Sequence, residues 1–370
     1  MNTQPAIFFA TQCFAPDIGG IETTMTGLAD AVAASGREVE VFADHIRRAG
    51  ASEISRPYPI RRFGLIRPLR RWLKSRAMAA RAAAGSAGVF ADSWKSVAAV
   101  PRRLGPIAVL AHGNEIPLDA EGERAARVRA ALARARTVVA SSEFTAGLVS
   151  RLLGPSATKI VVVNSPLPPQ EVAGAPALAA IEARIAGRHP VISTLSRLEP
   201  RKGVDMVLKA LPRLRERFPR LVYLVGGGGD DLARLTRLAG ELGVEGQVEF
   251  LGRLPDDQKA ALFERSDIFA MPARRVGDSV EGFGLVYAEA AWRGVPSLAG
   301  FEGGAADAVI DGRTGLVRRG DDVEAVLDGL TTLLENDELR ARLGAAARDR
   351  VSNELTWPQV LPRYLAALGL

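Results

Sequence analysis

Cysteine is almost missing. The 370-residue chain has one, Cys13, so no internal disulfide can form and a reducing cytoplasm is the expected setting. Cys13 itself reads as a small hydrophobe beside the first strand. Histidine is nearly as scarce, with three in all, and no Cys/His cluster has the spacing of a zinc site. No two aspartates stand two positions apart, so the D-x-D arrangement that holds a divalent metal under a diphosphate is missing. Neither a metal nor any other cofactor is therefore expected. No uncharged apolar run reaches the ~18 residues of a membrane span. The opening "AIFFATQCFA" is too short for a signal peptide and has no basic lead-in. The chain is expected to be cytoplasmic, soluble or resting on a membrane surface.

What is present is an ordinary globular composition, 47% hydrophobic and 24% charged. The length exceeds the size at which a single core stops growing, so two domains are expected. A formal charge of +6 and a pI near 9.8 favour anionic partners: nucleotides, phospholipid headgroups or nucleic acid.

Strands alternate with helices in the first half. "AIFFA" (6–10) precedes a glycine turn and a periodic apolar segment from Ile21 to Ala34. "EVEVFA", "IAVLAHG", "TVVASS" and "KIVVVN" follow, with helical patterns such as "RAARVRAALARA" between them. Short β-branched runs joined by crossover helices predict a buried parallel sheet. "SPLPPQEVAGAP" (165–176) breaks the pattern and reads as a linker. A second alternation runs from "VISTLS" (191–196) through "LVYLVGG", "VEFLG", "DIFAMP", "VPSLAG" and "TGLV". The fold class is thus α/β, with two Rossmann-like domains, residues 1–170 and 185–354, facing across a cleft. The terminal helix, 355–370, is expected to pack back on the first domain. Ligands of open α/β sheets bind at the C-terminal strand edges.

Four segments fall just after predicted strands. "PDIGGIE" places Gly19 and Gly20 before a helix, where backbone amides and the dipole favour negative charge; a plain tight turn fits equally well. "LSRLEPRKGVD" sets Arg197 and Lys202 around a proline turn, suited to a diphosphate or simply to solvent. "EGFGLVYAE" puts Glu281 and Glu289 eight positions apart, with Gly282, Phe283, Gly284, Leu285 and Val286 offering amides at a helix start. Two acids do not both seek a phosphate; sugar hydroxyls are their natural partners. His112, in "LAHGNEIP", ends a strand, and a structural role is the commoner outcome there. His45 and His189 lack even that placement. "VGGGGDD" (225–231) lacks the third glycine of a dinucleotide fingerprint, so a dehydrogenase is a poor fit.

Together these segments resemble family 4 of the retaining GT-B glycosyltransferases. The resemblance covers nearly the whole chain and rests on E-x7-E at Glu281 and Glu289, "SRLEPRKG", "VEFLGRL", "ADAVIDGRTGLV" and the early "GGIE". It implies transfer of a hexose from a nucleotide-sugar donor with retained configuration and without a metal, the family's favoured route being front-face attack. It further implies that Arg197 and Lys202 bind the diphosphate and that Gly20 adds an amide. Glu281 and the amides from Phe283 to Val286 would hold donor-sugar hydroxyls, Glu289 the ribose, and His112 the transferred sugar. The backbone from Leu251 through Gly252 to Arg253 would border the base. Two departures stand out: "NSPLPP" replaces an "NGVD"-like turn, and Asp307 stands where Pro-Glu is usual. The C-terminal wording is similar to bacterial phosphatidylinositol mannosyltransferases, which tilts the implied donor towards GDP-mannose and the role towards cell-envelope glycolipid or polysaccharide synthesis. The alternatives are a UDP-sugar donor with a soluble acceptor, a non-catalytic nucleotide-sugar binder, and a nucleotide-sugar epimerase, against which E-x7-E argues.

Residues 56–81 hold nine Arg/Lys and no acid, with Phe63, Leu65, Ile66, Leu69 and Trp72 interleaved. Such a stretch suits an anionic bilayer and a lipid-linked or glycan acceptor. A solvated basic loop is the plainer expectation, and nucleic acid is not expected because no base-stacking motif accompanies the charge.

Overall fold

The computed structural model describes residues 5–46, 53–82 and 85–370. The chain divides into two units, Met1–Pro168 with Thr356–Leu370, and Pro169–Leu355. In the first unit the strands are β1 (Ala6–Thr11), β2 (Val39–Asp44), β3 (Ile60–Phe63), β4 (Ser86–Ala91), β5 (Ile107–Ala111), β6 (Thr137–Ala140) and β7 (Lys159–Val162). Helices α1 (Gly20–Ala34), α2 (Arg67–Ala82), α3 (Trp94–Val97), α4 (Gly122–Leu132) and α5 (Glu143–Leu153) follow β1, β3, β4, β5 and β6. The sheet is wholly parallel in the order β3-β2-β1-β4-β5-β6-β7. Every residue of β1, β2, β5 and β6 is buried, which is why these strands read as continuous apolar runs rather than alternations.

The second unit runs α6 (Ala175–Ile185), β8 (Val191–Leu195), α7 (Val204–Arg217), β9 (Val222–Gly226), α8 (Leu232–Glu241), β10 (Val248–Gly252), α9 (Asp256–Glu264) and β11 (Ile268–Met271). It continues with α10 (Leu285–Trp292), β12 (Ser297–Gly300), α11 (Ala305–Ala308), β13 (Gly315–Arg318), α12 (Val323–Glu335) and α13 (Asp337–Glu354). Its six strands are parallel in the order β10-β9-β8-β11-β12-β13. Both sheets therefore reverse strand order once, between β1 and β4 and between β8 and β11. Crevices at strand C-termini form at such reversals.

The chain's last helix, α14 (Trp357–Leu368), belongs to the first unit. Tyr364 is buried there, edge-on to Phe90 at 6.3 Å between ring centroids, and a side chain on Gly27 of α1 would collide with Trp357.

Two expectations change. The basic stretch is not a loop: Ile60–Phe63 pairs with β2 as the edge strand, and Arg67–Ala82 is helical. The linker is shorter than its composition suggests, because α6 begins at Ala175 with Pro176 in its first turn, where the missing N–H costs nothing.

Candidate functional site

In the second unit the chain leaving β8 makes a 3-10 turn over Pro200–Lys202 and enters α7 through Gly203, at φ +74°. Only glycine fits there: a Cβ would overlap the carbonyl oxygen of Pro272, just past β11. This close approach seats the cations of the turn beside the chain that follows β11. Lys202 is buried, and its Nζ donates to Glu281 Oε2. Arg201 Nη1 donates to the same oxygen at 2.9 Å, and Arg201 Nε donates to Glu199 Oε2 at 2.9 Å. Arg197 reaches the other Glu199 oxygen, also at 2.9 Å, with its side chain 74% exposed.

The cluster thus contains Lys202 and Glu281, as the sequence suggested, and two residues the sequence did not offer, Arg201 and Glu199. Arg197 sits at its solvent end. A further brace lies behind it. The Arg274 amide donates to the Arg201 carbonyl at 2.8 Å, and the Arg274 guanidinium forks onto the buried Asp205 carboxylate with two bonds of 2.9 Å.

Burial alone would raise the Glu281 carboxyl, but Lys202 and Arg201 outweigh it and hold it below the usual carboxylate range. Glu289 goes the other way. Burial raises it, Lys259 offers partial relief, and no hydrogen bond or ion pair meets it among the described residues. Two carboxylates on one short segment are therefore shifted in opposite directions.

Between them Gly284 caps α10 at φ +87°, where a side chain would strike the Tyr287 ring. The Tyr287 amide bonds Gly284 O at 3.0 Å. The amides of Phe283, Leu285 and Val286 have no acceptor among the described residues, so this helix end is an unspent donor set. Gly282 and Phe283 are buried beside it. At the end of β10, Gly252 accepts the Gly227 amide at 2.7 Å, and Arg253 is exposed with no ion pair among the described residues.

In the first unit, Gly19 and Gly20 stand at the start of α1, with Gly19 O accepting from the Thr23 amide at 2.9 Å and the Glu22 carboxylate lying against Gly19. His112 follows β5. Its Nε2 is 2.9 Å from the Asp92 carbonyl oxygen, and its amide donates to Glu115 Oε1 at 2.5 Å. The buried Asp92 carboxylate takes the Thr11 hydroxyl at 2.9 Å and the Gln12 amide at 2.6 Å, tying the end of β1 to the end of β4. His112 is thereby oriented by fixed backbone.

Two family models match the chain: Glycosyltransferase Family 4 over residues 18–171, and Glycosyl transferases group 1 over residues 180–350. A GDP-mannose-dependent alpha-(1-6)-phosphatidylinositol monomannoside mannosyltransferase of Mycolicibacterium smegmatis is 37% identical over 281 residues, 71% of this chain and 72% of that protein. The GDP-mannose-dependent monoacylated alpha-(1-6)-phosphatidylinositol monomannoside mannosyltransferase of Corynebacterium glutamicum is 44% identical over 170 residues, 45% of this chain and 44% of that protein. Among solved structures, a sucrose-phosphate synthase from Thermosynechococcus elongatus superimposes with a TM-score of 0.77 at 20% identity, covering 98% of this chain and 97% of that one. A glycosyltransferase from Rickettsia africae gives 0.76 at 17% identity, covering 100% and 98%. At such identities the structures establish a shared GT-B fold, with two parallel-sheet α/β domains.

Proposed function

The chain belongs to the family 4, group 1 glycosyltransferases, and on that footing we propose that it moves mannose from GDP-mannose to a phosphatidylinositol-linked acceptor. The observation that carries the donor half is the Lys202–Glu281–Arg201 cluster beside the free amides of Phe283, Leu285 and Val286. Lys202, with Arg201 and the outlying Arg197, meets the diphosphate, and cations fixed there stabilise the charge that grows on the departing phosphate. Glu281 and the amides take hydroxyls of the sugar. Glu289, raised and unpaired, suits the two hydroxyl donors of a ribose, because a hydroxyl returns to the carboxylate the hydrogen bonds that burial removed. Gly252 and Arg253 are assigned to the base, the Gly19–Gly20 turn to the diphosphate and His112 to the transferred sugar. No metal enters this scheme. The relatives' printed names support the donor and acceptor.

Thermal shift with GDP, UDP and ADP tests the donor, since a ligand of the native state raises the melting temperature. A shift with GDP, and mannosylated lipid formed from GDP-mannose and phosphatidylinositol vesicles, is the expected result. A shift with UDP alone would replace this reading with a UDP-sugar enzyme. Donor binding without transfer to any acceptor would leave a nucleotide-sugar binder.

A second proposal concerns α2. Among the described residues no helix is long and apolar enough to cross a membrane. Leu65, Ile66, Leu69 and Trp72 are nevertheless exposed among basic residues at the start of α2. We assign this face to the surface of an anionic bilayer, where each basic residue contributes about 1 kcal/mol. Co-sedimentation with anionic but not neutral vesicles is expected, and equal binding to both, or to neither, would discard the assignment.

A further inference from the structure

In the second sheet β8 lies between β9 and β11, so the turn after β8 is flanked by the chain leaving each neighbour. Both flanks grip it. On the β11 side stands the brace already described: the Arg274 amide on the Arg201 carbonyl, and the Arg274 guanidinium on both oxygens of Asp205, in the first turn of α7. On the β9 side runs the glycine-rich stretch 226–229. There the Leu198 amide donates to the Gly228 carbonyl at 3.0 Å, and the Asp231 amide donates to the Leu198 carbonyl at 3.3 Å. A side chain on Gly227, at φ +118°, would overlap the Ser196 carbonyl oxygen, and one on Gly229 would overlap that of Leu198. These glycines form a saddle on which the backbone from Ser196 to Leu198 rests.

The two flanks also reach each other. Arg234 of α8 forks onto Asp231 with bonds of 2.6 and 2.7 Å, and its Nη1 stands 3.7 Å from Asp205 Oδ2. A closed circuit results: Leu198, Asp231, Arg234, Asp205, Arg274 and Arg201, then back along the chain to Leu198. Acids and guanidiniums alternate in it, two of each, so its side-chain charges balance. Arg274 is in no position to take a ligand anion itself. Both of its terminal nitrogens are spent on Asp205, and its side chain is only 13% exposed. What it can govern is the enclosed turn, whose Arg201 and Lys202 converge on one oxygen of Glu281.

We propose that Arg274 is a positioning residue: by forking onto Asp205 and holding the Arg201 carbonyl, it keeps Arg201 and Lys202 preset for an incoming anion. That this anion is a donor diphosphate rests on the glycosyltransferase reading above; the holding role does not. Cations fixed before charge develops stabilise it without reorganising, whereas a loose turn must be ordered at that moment. A substitution at Arg274 leaves the backbone amide in place and removes only the fork.

Amine acylation of the full chain with an N-hydroxysuccinimide acetate, mapped by mass spectrometry, tests this without any donor. Lys202 is buried and paired, and the exposed Lys209 of α7 is the internal reference. In Arg274→Ala the acylation of Lys202 relative to Lys209 should rise roughly fivefold, because local opening exposes it. Arg274→Lys keeps the charge that balances Asp205 but cannot fork, so it should fold normally and still show a rise, of smaller size. Arg274→Ala combined with Asp205→Asn separates holding from stability. It removes both charges, so much of the melting temperature lost in Arg274→Ala should return, while Lys202 stays fast. In all three variants turnover should fall roughly tenfold with the GDP thermal shift retained, a loss in kcat rather than in binding. Parent-rate acylation of Lys202 in Arg274→Ala, its return to the parent rate in the double variant, or turnover within about twofold of the parent throughout would overturn the proposal. A parent that shows no shift with GDP or UDP, with Lys202 still faster in the variants, would instead sink the donor reading and leave the positioning role standing.

Discussion

The two units hold their cations in contrasting ways. In the second, Arg201 and Lys202 have side chains only 12% and 11% exposed, and acids answer both. In the first, Arg67, Arg71, Lys95 and Arg127 line a cavity beside the start of α2 and form no ion pair among the described residues. A desolvated charge is tolerated only when paired, so the second unit's cluster can be prebuilt and dry, whereas the first unit's cations must stay hydrated until an anion arrives. On the proposed function, a nucleotide that takes Lys202 exchanges one anion for another. An anion entering the α2 cavity gains attractions that were not there before.

Lys202→Ala breaks the compensated cluster outright, and turnover should fall at least tenfold in a steady-state assay with the fold intact by circular dichroism. Near-normal turnover would end the diphosphate role. Asp205→Asn removes the carboxylate under Arg274 and should cost about 2–4 kcal/mol in urea denaturation, somewhat under the range for a fully buried pair. Salt sharpens the contrast next. Raising the ionic strength from ~0.05 to ~0.5 M should weaken binding to anionic vesicles several-fold and GDP binding less, because screening acts most on hydrated charge.

The smallest effects separate Glu281 from Glu289. Glu281, lowered in the folded state, contributes stability that is present above the ordinary carboxyl range and lost as pH falls through its depressed value. Glu289, raised in the folded state, favours folding only while protonated, and that contribution is lost as pH rises through its raised value. At neutral pH, Glu289→Gln should therefore raise the melting temperature by ~1–3 °C, and Glu281→Gln should lower it. Both differences should shrink in acid, as scanning calorimetry at several pH values would show.

The sequence carried most of the fold because parallel strands buried on both faces leave unbroken apolar runs. It failed at β3 and α2 for one reason. "IRRF" is an edge strand with an exposed charge, and the helical period of α2 is written in Arg67, Arg70, Arg71 and Lys74 rather than in apolar residues. Counting the period of cations as well as hydrophobes would have found that helix. In the second unit's cluster, Lys202 and Glu281 were legible from motif spacing. Arg201 was not, because only the 3-10 turn points it at Glu281 while leaving Arg197 in solvent. The Asp205–Arg274 brace joins residues 69 positions apart, and no local pattern announces it.

The helix α14 sits in the first unit's core although the whole of the second unit precedes it in the chain. A ribosome therefore finishes the second unit before delivering the segment that completes the first unit's core. Until Trp357 and Tyr364 emerge, the nascent sheet keeps an apolar flank open to chaperones.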